Sequence, residues 1–72
     1  MAPSALEDSP VAAALQARRV PALQRVRVVE TDTSVELLGT VPSFYVKQLA
    51  QEAVLPLLRG RKLLNRLAVV RD

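Results

Sequence analysis

Ten Lys and Arg and seven Asp and Glu, with neither histidine nor cysteine, are the charged side chains with which this 72-residue chain can do chemistry. Without imidazole or thiol there is no Ser-His-Asp triad, no thiolate nucleophile, no disulfide and no His or Cys metal site. Acid–base work would fall to carboxylates. These are Glu7, Asp8, Glu30, Asp32, Glu36, Glu52 and Asp72, and only Glu7 with Asp8 and the Glu30 to Glu36 group come close in sequence. The second group suits the solubility of a hairpin, whereas a perturbed catalytic carboxylate needs a cleft, for which a chain this short has little room. The expectation is a noncatalytic protein with no cofactor and no metal.

The cations are more suggestive. Arg59, Arg61 and Lys62 surround Gly60, so a flexible basic loop can place several charges on one anionic surface such as phospholipid. At ~1 kcal/mol per basic residue near such a membrane, three supply ~3 kcal/mol, less than the ~4 kcal/mol of a millimolar complex. Useful binding would then need other domains, a second anchor or self-association. The net charge of +3 and a pI near 10.2 also raise nucleic acid as a partner. Against it, no Gly-x-x-Gly loop is present, and the only aromatics, Phe44 and Tyr45, fall at a helix start and form no stacking platform on strands. No apolar run approaches the ~18 residues of a transmembrane segment, and the amino terminus does not read as an export signal, so the sequence as written places the chain in the cytoplasm.

The elements that must position these residues follow from periodicity and punctuation. Residues 1–8 read as a flexible lead-in, although Ser4 and Glu7 have capping-box spacing, and residues 9–72 as one domain with a core of Val, Leu and Ala. Ser9 and Pro10 suit an N-cap and first helical position, with Val11, Ala14 and Leu15 as the apolar face, Arg18 and Arg19 at the negative end, and Pro21 opening the connection. A hairpin turning at Asp32-Thr33 pairs residues whose numbers total 65: Val28 with Leu37, Glu30 with Val35, and Arg27 with Leu38 on the other face. Ser43 caps a second helix whose buried side draws on Phe44 or Tyr45, Val46, Leu49, Ala50, Ala53, Val54 and Leu57. Pro56 kinks or ends it. Leu58 to Lys62 then link to a last strand in which Leu67 and Val69 face the helices while Ala68 and Val70 point away.

A right-handed strand-helix-strand crossover makes that last strand parallel to the second. The expected fold is therefore α+β, a two-layer sandwich of order α-β-β-α-β, with two helices on one face of a three-stranded mixed sheet. The other face stays open. It would present Arg27, Val29, Leu38, Ala68 and Val70, with Glu36 and Arg66 nearby, to a protein partner or a second copy.

Val35, Leu37, Gly39 and Val41 stand in the Val-x-Leu-x-Gly-x-Val spacing of a BON domain's second strand. Ala50, Asn65 and Leu67 fall where its members carry a small helix residue, an Asn and an apolar residue. Over residues 11–70, most strongly from Val26 onward, the chain resembles this bacterial osmotic-shock and nodulation family. The resemblance implies a noncatalytic, envelope-associated or periplasmic module that touches phospholipid. Two departures stand out: Asp32-Thr33 replaces the usual Gly or Asn-Gly turn and suits a four-residue loop, and Gly60 comes one residue late before the last strand.

Overall fold

Ser9 sets where the first helix begins. In the computed structural model, which describes residues 9–70, its Oγ accepts from the Ala12 amide at 3.1 Å. Pro10 takes the first position of α1 (Pro10–Ala17), where no amide hydrogen is needed. The proposed lead-in and its Ser4 to Glu7 spacing lie outside the described residues. Helix α1 buries Val11, Ala12 and Leu15 and leaves Ala14 half-buried, so its inner face is rotated toward Ala12 relative to the expected stripe. Arg19, at φ 57, turns the chain, and Pro21 opens a 3₁₀ turn over Pro21–Arg25 that buries Leu23.

The hairpin has the expected register. Strands β1 (Arg27–Glu30) and β2 (Ser34–Leu38) are antiparallel, pairing Arg27 with Leu38, Val28 with Leu37, Val29 with Glu36 and Glu30 with Val35. Thr31 builds the turn with its side chain: its Oγ1 accepts from the amides of Thr33 at 3.2 Å and Ser34 at 3.0 Å. Neither Asp32 nor Thr33 takes a positive φ, so the connection is not the Gly-dependent type I′ turn.

Strand β4 (Lys62–Asn65) runs parallel to β2, giving the sheet order β1-β2-β4. It begins at Lys62, a residue that the sequence assigns to the link, because the chain has already reversed at Arg59 and Gly60. Beyond it, β3 (Thr40–Val41) pairs in parallel with β5 (Ala68–Val69). Partners differ by 28 in both pairs, from Ser34 with Lys62 to Val41 with Val69. The two pairs are thus one parallel ladder, interrupted at Gly39 and at Arg66-Leu67 without a slip. Side-chain alternation persists across the break: Leu67 is buried and Val69 half-buried, while Ala68 and Val70 are exposed. Gly39 sits at φ 129, and a Cβ there would meet the Arg25 carbonyl oxygen at 3.5 Å. The backbone that it approaches is the end of the 3₁₀ turn.

Helix α2 (Phe44–Val54) starts at Ser43, whose Oγ accepts from the Val46 amide at 3.3 Å. It buries Val46, Ala50, Ala53 and Val54. Phe44 and Tyr45, expected to supply an inward aromatic, are 70% and 71% exposed. The helical rotation of ~100° per residue explains this, since the phase that turns Val46, Ala50 and Val54 inward turns both aromatics out. Pro56 falls in a second 3₁₀ turn, Leu55–Leu57, as its missing amide requires. Asn65 is the polar member of the inner face. Its Nδ2 donates to Gln51 Oε1 at 3.3 Å and its Oδ1 accepts from the Leu67 amide at 3.3 Å, satisfying the backbone where the strand breaks. Both helices pack on one side of the sheet, and Leu15, Leu23, Val35, Leu37, Val54 and Leu67 fill the core between the layers.

Candidate functional site

The register composes the outer face of the sheet row by row. One row across it reads Arg27, Leu38, Arg66; the next reads Val29, Glu36, Leu64; at one end lie Ser34 and Lys62, at the other Thr40 and Ala68, with Val70 beyond. Strands lie ~4.8 Å apart, which sets the backbones of Arg27 and Arg66 ~10 Å from each other with Leu38 between them. Arg66 Nε holds Glu36 Oε2 in an ion pair. Val29 is 42% and Val70 54% exposed, Leu38 and Leu64 are half-buried, and Ala68 is exposed. All five proposed interface residues therefore share one face. Leu64 belongs with them and was missed, although the alternation that picks out Ala68 and Val70 reaches it as well.

The basic loop is organised differently from the flexible arm that its sequence suggests. Leu58 to Arg61 form a β-turn closed by the Arg61 amide on the Leu58 carbonyl at 3.0 Å. Its two central residues have φ 53 at Arg59 and φ 83 at Gly60. Positive φ at both positions is the type I′ pattern, which explains Gly60. Arg61 folds back into the domain. Its Nε and Nη2 donate to the carbonyls of Leu58 at 2.9 Å and Leu57 at 3.0 Å, and its Nη1 to Glu30 Oε1 at 2.7 Å. With a side chain only 19% exposed, Arg61 braces the loop. Arg59 and Lys62 remain exposed, and Lys62 has the outward parity of Arg66, so its cation borders the open face.

Glu30 joins three segments. It receives Arg61 from the loop and the Ser9 hydroxyl from the cap of α1. The Ser9 hydrogen bond, helped by the Arg61 hydrogen bond and charge against a partial desolvation, holds its carboxyl below the ordinary carboxylate range. This carboxylate is an acceptor within a clamp. Among the described residues no three His, Cys, Asp or Glu side chains stand together to hold a metal ion, and no helix is long and apolar enough to cross a membrane.

No family model, curated protein or solved structure matches the chain.

Proposed function

We propose that the chain is a noncatalytic, BON-like binding module that works through the open face of its sheet, holding a partner protein or joining a second copy. The observation that carries this reading is the outer face itself: Val29, Leu38, Leu64 and Val70 set among Arg27, Arg66 and Lys62, with both helices on the other side. Apolar side chains at the centre supply affinity on desolvation, and the surrounding cations supply orientation. The family resemblance agrees with a binding role in kind, since it too implies no reaction.

Leu38 is the decisive position because it stands between the two arginines. Leu38→Glu places a charge at the centre of the face while leaving the inward residues Val35 and Leu37 in place. A wild-type bait should retain a protein, or sediment as a dimer, where the variant does neither at unchanged circular dichroism. If both baits retain the same proteins and both sediment as monomers, the face is not an interface.

Phospholipid contact is the second reading, favoured by the exposed Arg59 on a tight turn and the exposed Lys62 at the start of the strand that follows it. Envelope or periplasmic residence belongs with this reading and follows the resemblance alone. Arg61, committed to Glu30 and two carbonyls, contributes little to an external surface.

A further inference from the structure

The outer face of the sheet has a grain. Val29 on β1, Leu38 on β2 and Ala68 on β5 each stand one strand over and two residues on from the last, so they draw an apolar diagonal across it. With ~4.8 Å between strands and ~3.3 Å per residue, each step is ~8 Å and the diagonal runs ~16 Å. Arg27 stands on one flank of Leu38 and Arg66 on the other. Leu38 is half-buried between these two longer, exposed side chains, so the row is a shallow channel with cationic walls. Lys62, also exposed, extends the wall on the Arg66 side. Glu36 is the one carboxylate that the strands place on this face among the described residues. It is already held by Arg66, whose side chain stays 60% exposed.

An aliphatic floor between two cationic walls describes an occupant. We propose that this channel takes an amphipathic helix of a partner protein, with its aliphatic stripe along Val29, Leu38 and Ala68 and carboxylates on both edges of that stripe. The inference rests on the reading of the chain as a protein-binding module and names the partner that its open face selects. The dimensions agree, since ~16 Å is about three turns of helix and the ~10 Å between the Arg27 and Arg66 backbones is close to a helix diameter. Apolar contact along the floor supplies affinity, and the walls set which helices are accepted. A second copy is refused by the same charges. Face to face, each copy would set Arg27, Lys62 and Arg66 against their counterparts, with Glu36 as its one carboxylate among the described residues to offset them. Single-stranded nucleic acid fits poorly because it needs aromatic platforms, and the only two aromatics lie outside this face, on α2.

The test titrates the full chain with a capped helical peptide of about four turns, stapled on its outer side, with Leu at i, i+4, i+7 and i+11, Glu along both edges of the Leu stripe, and Ala and Gln elsewhere. A matched peptide has Gln in place of every Glu. The acidic peptide should saturate on the order of 0.1 mM, with amide shifts centred on Val29, Leu38, Leu64 and Ala68. The neutral peptide should bind about tenfold more weakly, and the two should converge near 1 M salt, where the Debye length is ~3 Å. Arg27→Gln should weaken the acidic peptide about threefold and leave the neutral one unchanged, a difference that mere loss of packing would not produce. The chain alone should sediment as a monomer. Equal binding of both peptides at low salt, or a dimer that Leu38→Glu dissociates, would overturn the acidic helix while leaving the open face as the interface. Anionic phospholipid vesicles that shift the same residues where the peptide does not would assign the face to a bilayer and overturn it as well. No shift at about 2 mM peptide also overturns it. The Leu38→Glu comparison then decides separately whether the broader reading falls too.

Discussion

Ser9 is a residue with two duties, and their separation gives a test. As N-cap it accepts from Ala12, and as a donor it holds the Glu30 carboxylate, which Arg61 binds on its other oxygen. Removing an N-cap hydroxyl costs about 1 kcal/mol. Ser9→Ala should cost more, about 2 kcal/mol in urea unfolding, because a charge-assisted bond goes with it. Glu30→Gln removes only the charge-dependent share. The folded-state pKa of Glu30 is depressed, so its contribution is complete above the unfolded value near 4.5 and fades as pH falls through the lower folded value. Wild type should therefore exceed Glu30→Gln in stability by about 1 kcal/mol at neutral pH, and the difference should close as the medium is made acid through that range. A gap that stays constant on acidification would mean that ionised Glu30 does not stabilise the fold. The cap was legible in the Ser9-Pro10 pair. Its partners were not, because Glu30 and Arg61 are distant in sequence and a local pattern carries no sign of who meets across the fold.

The elements divide by the range of the forces that set them. Hairpin register and both helix starts follow from alternation and from a hydroxyl before a helix, which are local signals, and these match the structure. The inward placement of Phe44 or Tyr45 failed because two adjacent aromatics at a helix start leave the phase undetermined until Val46 packs. Cutting the last ladder into β4 and β5 was also hidden, since it depends on the bend at Gly39 meeting Arg25, a contact between segments. That bend makes Gly39 and Gly60 unequal. Gly39 occupies φ 129, a conformation costly to any side chain, and faces the Arg25 carbonyl, whereas Gly60 at φ 83 has open space around it. Gly39→Ala should destabilise by about 2 kcal/mol and Gly60→Ala by about 1 kcal/mol in urea unfolding. The reverse order would show that the ladder does not need the bend. As for the site, the outward residues of the open face were legible by parity, but the fate of the basic loop was not, because nothing in Arg59-Gly60-Arg61-Lys62 marks Arg61 as the one that turns inward.

At the scale of the whole molecule, charge and apolar surface are offered in different places, and the magnitudes decide which of them can sustain binding alone. The sequence suggested three cations on one mobile loop; the fold withdraws Arg61 and leaves Arg59 and Lys62 exposed. At ~1 kcal/mol each beside an anionic bilayer, the pair supplies ~2 kcal/mol, about half of what a millimolar complex requires. The isolated chain should show negligible retention on vesicles of mixed anionic and neutral phospholipid at ~0.15 M salt. Weak retention is expected only near 0.01 M, where the Debye length grows to ~30 Å. Arg59→Glu should erase that low-salt retention without changing partner capture through Leu38. Strong retention on neutral vesicles at high salt would overturn this division of labour. It would mean that apolar surface, such as the exposed Phe44 and Tyr45, enters the bilayer directly.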